Sequence, residues 1–178
     1  MDSLKGQLLL ASAGLLDPNF HRTVVLIAEH SEEGAMGIVL NRPGDVSVGE
    51  ATPPLEPLVG PGEPVFVGGP VEPQSVVVLA EFDDPAEAAA LVLEDIGFLA
   101  AETEVEPATR RARVFAGYAG WTAGQLEAEL AESSWIIEPA LPEDVFAGAG
   151  EDLWSAVLRR KGGPFGVLSL MPPDPSLN

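Results

Sequence analysis

The chain contains no cysteine, which excludes disulfides, thiolate zinc sites and cysteine nucleophiles outright. Histidine is nearly as scarce. His21 and His30 are the only two, and no spaced partner set accompanies them to make a zinc site. Positive charge is also sparse: nine Lys and Arg stand against 28 Asp and Glu, a formal net charge of −19. Such a chain repels polyanions and lacks the basic footprint of a nucleic-acid binder, so direct nucleic-acid binding is not expected. Six of the nine basic residues fall in two clusters, RRAR at 110–113 and RRK at 159–161. These read as solvated faces or helix ends more readily than as a binding patch. No apolar run approaches the roughly 20 residues needed to span a bilayer. No long apolar run follows the first residues as a secretory leader would, so the expected location is the cytoplasm, with no membrane partner.

What is present suits one domain with a sizeable core: 178 residues, 46% of them apolar. The chain is organised around residues 114–137, VFAGYAGWTAGQLEAELAESSWII, which hold the only tyrosine and two of the three tryptophans. The stretch reads as a buried strand, a turn punctuated by Gly117, Gly120 and Gly124, a helix of about ten residues, and a second strand stopped by Pro139. Thr122 and Gln125 have the spacing of a capping box. Trp135 reads as core. Tyr118 and Trp121 lie beside glycines, where packing and ligand binding are equally open readings.

Elsewhere, residues 7–12 and 22–29 read as strands, and the solid apolar run of the second suggests burial on both faces. Residues 37–40 add a third, making 22–41 a hairpin with a several-residue loop. The seven prolines and glycines of residues 53–64 make a regular element unexpected there. Residues 85–101 are ambiguous between helix and strand. Residues 151–161 read as a helix with acids at its start, RRK at its end and Gly162 as its cap. Residues 165–170 read as a last strand, before a non-regular tail.

Few residues offer chemistry. The sequence holds no G-x-S-x-G elbow, no P-loop and no dinucleotide-binding fingerprint, so no catalytic set, cofactor or metal is implied. His30 beside Glu29 would face the opposite side of a strand from its neighbour. The more informative polar residues are Asn19, Arg22, Asn41 and Arg42. Antiparallel pairing of the hairpin brings Arg22 near Asn41 and Arg42, a corner able to hold a carboxylate or phosphate. An internal ion pair or turn capping is the alternative.

These segments together resemble the YqgE/AlgH proteins, a bacterial group of largely unknown function. The matching stretches are LLLASAGLLDPNFHRTVVLIAEH, GAMGIVLNRP, VFVGGPV, GYAGWTAGQLEAEL, SSWII, EDLWSAVLRR and PPDPSLN, from near Leu8 to Asn178. The resemblance implies an α+β domain with a mixed, largely antiparallel sheet flanked by helices. It also implies strands around Leu91-Val92-Leu93 and Gly97-Phe98-Leu99, against the alanine-rich propensity. Ala80 stands where the family usually has histidine, and the proline-rich 53–64 segment replaces a more helical region. One branch of the family is linked to regulation of transcription. The expectation is therefore a binding or regulatory protein without catalytic activity, acting indirectly through a protein partner or a small anionic ligand. The alternative is an enzyme or sensor for such a ligand, with Asn19, Arg22, Asn41, Arg42, Tyr118 and Trp121 lining a site near the Gly68-Gly69 turn.

Overall fold

A computed structural model describes residues 2–13, 15, 20–100 and 107–170. The strands are β1 (Gln7–Ala11), β2 (Val24–Ser31), β3 (Gly34–Val39), β4 (Pro43–Ser47), β5 (Pro64–Val67), β6 (Val71–Phe82), β7 (Ala90–Leu93), β8 (Ile96–Phe98), β9 (Thr109–Thr122) and β10 (Trp135–Pro139). The helices are α1 (Val48–Ala51), α2 (Glu56–Val59), α3 (Gln125–Ala131), α4 (Pro142–Val145), α5 (Leu153–Lys161) and α6 (Pro164–Leu168). The architecture is α+β, with strand order β10-β1-β2-β3-β9-β6-β8-β7 and β4-β5 attached beside β9. Every strand pairing is antiparallel except β5 with β9. The mixed, largely antiparallel sheet that the resemblance implied is thus present.

The apolar runs of β1 and β2 follow from burial on both faces, because successive strand residues point to opposite sides. Leu8, Leu10, Val24, Leu26 and Ala28 enter one core, closed by Phe66, Leu79 and Phe115 from the neighbouring strands and by Trp154, Val157 and Leu158 of α5. Leu9, Ala11, Val25 and Ile27 enter a second core on the other face, where Leu126 of α3, Trp121 and Trp135 cover them. A smaller cluster of Val48, Val65, Val78 and Val114 lies under α1 and α2, packed by Leu55 and Val59.

β9 joins the two halves of the sheet. Its residues 109–116 pair with β6, and Phe66 and Val67 of β5 lie opposite Phe115 and Ala116. Beyond Gly117, residues 119–122 pair with β3 instead. Gly117 has φ +74°, a conformation that L side chains rarely adopt, and it bends the strand at this change of partner. The Gly68-Gly69 turn after β5 crosses β9 at the same point. A Cβ on Gly69 would lie 2.1 Å from the Tyr118 carbonyl carbon, and one on Gly68 would lie 2.3 Å from the Gly117 oxygen.

Several elements differ from the sequence expectations. The β2–β3 hairpin is tight: Ser31 pairs with Gly34, leaving only Glu32 and Glu33 in the loop. Residues 43–64 are regular for much of their length, because Pro43 and Ser47 register with β5 and the prolines occupy helix starts. α3 spans seven residues and begins after Gly124, not Thr122, although Gln125 Oε1 does accept from the Thr122 N–H at 3.0 Å. Residues 85–101 contain β7 and β8, as the resemblance implied, because Val92 and Ile96 fill the first core. Residues 165–170 fall largely in α6 instead of a strand: Pro164 starts the helix, and Phe165 and Leu168 pack on that core at helical spacing. The tail from 171 onward lies outside the described residues.

The glycine crossing makes a stability prediction. Gly69→Ala should destabilise the fold by roughly 3 kcal/mol, since the new methyl meets backbone that cannot move alone. Gly124→Ala, in the ordinary left-handed region (φ +79°, ψ −11°) with nothing within 4 Å of its Cβ, should cost only about 1 kcal/mol. Urea unfolding midpoints of the two variants check the difference, and equal losses would contradict it.

Candidate functional site

The crossing of the Gly68-Gly69 turn over β9 is tied by backbone hydrogen bonds. The Gly68 N–H donates to the Ala116 carbonyl and the Val39 N–H donates to the Gly68 carbonyl, both at 2.8 Å. The Val67 N–H donates to the Arg42 carbonyl at 2.7 Å. The ends of β3 and β5 are thereby held side by side along β9. The depression between them, of about 200 Å³, is lined by Val39, Arg42, Val67, Gly69, Pro70 and Pro73. Pro73 sits there because β6 is irregular between Val71 and Val76, and Glu72 within that bulge has φ +44°. Such a backbone conformation in a non-glycine residue costs of order 1 kcal/mol and recurs at ligand-binding sites.

Pairing of β2 with β3 brings Arg22 near Asn41 through the Arg22 carbonyl. Asn41 Oδ1 accepts from the Val24 N–H, and Asn41 Nδ2 donates to the Arg22 carbonyl, each at 3.0 Å. Asn41 therefore fixes the β2 entry to the end of β3. Arg42 Nη2 donates to the His21 carbonyl at 3.3 Å, and the residue is part of the lining of the depression. Arg22 has φ +55° and stacks its guanidinium 4.1 Å from the centroid of the Trp154 ring. Gly68 and Gly69 are at the crossing. Tyr118 follows the Gly117 bend and packs against the first core. Trp121 is on the other side of the sheet, in the second core, and lines a different depression with His30 and Met36. Asn19 lies outside the described residues.

Trp121 is instead part of a hydrogen-bonded cluster. Its Nε1–H and that of Trp135 both donate to Glu129 Oε1, at 3.0 and 2.8 Å, while Gln125 Nε2 donates to Glu129 Oε2. The basic clusters are likewise engaged. Arg110 pairs with Asp95 at 2.8 Å, Arg111 with Glu81 at 3.0 Å and Arg160 with Asp144 at 2.8 Å. Hydrogen bonds donated to Asp95 and Asp144 raise the Arg110 and Arg160 guanidinium pKa values above the ordinary value. Burial pushes Arg113 down; it lies over the Phe66 ring and donates to the Val145 and Ala147 carbonyls at the end of α4. Among the described residues, no group of three or more His, Asp or Glu side chains converges as a metal site, and no helix is long and apolar enough to cross a membrane.

His30 pairs with Glu127, not with its neighbour Glu29. Nε2 lies 2.6 Å from Glu127 Oε1, and Nδ1 accepts from the Leu4 N–H at 3.0 Å. With Nδ1 an acceptor, the Nε2 proton points at the carboxylate. Both ring nitrogens are thus occupied, and the histidine joins the N-terminal segment and α3 to the end of β2. No local signal reveals this pair, whose members are 97 positions apart. The hydrogen bond from His30, followed by one from the Glu127 backbone, holds the Glu127 carboxyl below the ordinary carboxylate value. A carboxyl lowered in the folded state stabilises it above the unfolded-state pKa, and that contribution is lost as pH falls through the folded pKa. Wild type should therefore lose more stability than Glu127→Gln between pH 6 and pH 3, by urea unfolding. Parallel losses would contradict the pairing.

Comparisons with known proteins bear on the family and the fold. A family model described as AlgH-like matches residues 8–166. A UPF0301 protein of Streptomyces coelicolor is 44% identical over 187 residues, covering 100% of this chain and 97% of that protein. A UPF0301 protein of Mycobacterium tuberculosis is 40% identical over 184 residues, covering 97% and 90%. The crystal structure of a Corynebacterium diphtheriae protein superposes with TM-score 0.85 at 32% identity, covering 96% of this chain and 93% of the other. The solution structure of the AlgH protein from Pseudomonas aeruginosa gives TM-score 0.72 at 32% identity, covering 96% and 95%. A family match over most of the chain, together with relatives and folds aligned nearly end to end, shows that this chain belongs to the AlgH-like family.

Proposed function

We propose that this chain is a cytoplasmic binding protein without catalytic activity, and that any influence on transcription is indirect. The observation that carries the proposal is the depression at the β3–β5–β9 junction. It is built on a backbone crossing that only glycine permits, and Arg42 lines it among valines and prolines. Bent, tightly registered backbone around a small recess is a costly arrangement that suits binding better than packing alone. The net charge of −19, with the basic clusters drawn into ion pairs and carbonyl contacts, disfavours a direct grip on duplex DNA. The signal would then pass through a small anionic ligand or a protein partner.

The alternative of a ligand-responsive sensor is favoured specifically by Arg42, which lines the recess together with Gly69. Two measurements separate these readings. At physiological salt, duplex DNA of any sequence should show no tight complex by fluorescence anisotropy, and sequence-specific binding would overturn the indirect route. In a thermal-shift screen of small anions at matched ionic strength, at least one should raise the melting temperature, and Arg42→Ala should abolish that rise. An absence of any shift across the screen would remove the ligand site and leave a protein partner as the remaining reading.

A further inference from the structure

We infer that residues 2–5 are a pH-released strap, latched by the neutral His30 ring and freed when that ring takes up a second proton. The inference does not depend on the recess at the glycine crossing. Three observations carry it. The first is where the segment is tied. Among the described residues, both hydrogen bonds from residues 2–5 to the body of the fold end on His30. The Leu4 N–H donates to Nδ1 at 3.0 Å, and Ser3 Oγ donates to the His30 carbonyl at 3.4 Å. The Lys5 N–H bond to Ser3 Oγ and the Gln7 N–H bond to the Leu4 carbonyl stay within the local turn. Gly6 ends the movable part. Its N–H donates to the Ile27 carbonyl, its carbonyl accepts from the Ala140 N–H, and its φ of +81° makes the bend there.

The second observation is the state of the ring. The His30 side chain is 4% exposed and its Nε2 faces Glu127 Oε1 at 2.6 Å, so the proton of the neutral ring sits on Nε2 and Nδ1 is a bare acceptor. A second proton enters only at Nδ1, where it points at the Leu4 N–H. Two donors then face each other, and the Leu4 bond is lost. The Glu127 contact survives and becomes a pair of full charges. Glu127 acts on the ring whether the strap is closed or open, so it cancels from the comparison of those two states. The open state therefore binds the proton better. By linkage, closure prevails at high pH and is lost as pH falls through the range in which histidine charges. The other ionisable side chains nearby are Glu32 on one side of His30, Glu29 and Glu33 on the other, and Asp2 and Lys5 on the strap. None is bonded to a ring nitrogen, and all but Lys5 are acids, whose field draws the proton in.

The third observation is what the strap covers. A depression of about 510 Å³ has Ser3, His30 and Glu127 in its lining, so the strap supplies part of its boundary. Leu4 packs against the second core. Release opens the depression on the Ser3 side and uncovers the apolar surface beneath Leu4. The same proton strengthens the hold of β2 on α3, so the rest of the site stays in place while one side of it opens.

The test follows the full chain by NMR from about pH 8 to about pH 5.5, above the range in which carboxylates ordinarily take up protons. Imidazole nitrogen shifts read the ring, and at the upper end they should place the proton on Nε2. As the ring charges, protection of the Leu4 amide, taken against an unstructured chain at the same pH, should fall about tenfold or more, the scale of one lost hydrogen bond. The central amides of β2 should keep their protection. His30→Asn puts Oδ1, an acceptor that does not titrate, where Nδ1 stands, and should keep Leu4 protected throughout. His30→Gln keeps a donor toward Glu127 but offers Leu4 no acceptor, and should leave that amide weakly protected throughout. A ring that charges with no change at Leu4 would overturn the proposal. So would a ring still neutral at the lower end, a proton on Nδ1 at the upper end, or a fall at Leu4 that persists in His30→Asn. Wild type alone decides the first three, should a variant fail to fold.

Discussion

The structure depends on one close approach of backbone to backbone. Where Gly68 and Gly69 pass over Gly117 and Tyr118, atoms lie so near that a Cβ on either turn glycine would fall within about 2.3 Å of the opposing chain. The absence of side chains there allows β9 to bend and change partner, from β5 to β3 along one edge. The same contact brings the ends of β3 and β5 together and leaves the recess between them. Fold and candidate site thus share a single steric requirement.

Around this point the sheet is buried on both sides, and the strands alternate between two cores. That explains why β1 and β2 are apolar at consecutive positions while the chain as a whole is strongly acidic. The acids lie mostly where cations, backbone donors or water can meet them. Glu129 receives two indole N–H groups, Glu127 receives His30, and Asp144 receives Arg160 and the Leu141 N–H. With so few cations in the chain, these fixed donors carry much of the work of organising negative charge at the ends of the strands.

How much of this is legible without coordinates depends on the range of the interaction. Period and punctuation find β1, β2, β10 and α5, because each is long or bounded by glycine or proline, and Asp152 and Gly162 bracket α5 as their chemistry requires. β9 is legible only in part: Gly117 and Gly120, read as a turn, lie inside the strand, which runs from Thr109 to Thr122 because β6 and β3 pair with it on either side of the bend. The Arg22–Asn41 corner follows from pairing two neighbouring strands. Short apolar runs mislead: residues 165–170 have strand-like composition, yet fold as a helix against α5. Residues 85–101 have helical composition, yet supply β7 and β8 because Val92 and Ile96 are drawn into the core. The His30–Glu127 pair and the meeting of Val39, Val67, Pro70 and Pro73 arise only from the folded topology. Trp121, read beside its glycines as a companion of Tyr118, lies on the other face because both belong to β9 and an offset of three positions along a strand points side chains to opposite sides.

The fold therefore presents a recess whose shape is set by backbone and whose lining is Arg42, Gly69, two valines and two prolines. Amide hydrogen exchange at Gly68 and Val39 tests the founding contact most directly. If the turn is locked onto β9 as described, both amides should exchange at rates close to that of global unfolding, alongside the central amides of β2. Exchange at the rate of an exposed loop, while β2 stays protected, would show that the crossing is open in solution and would contradict the account.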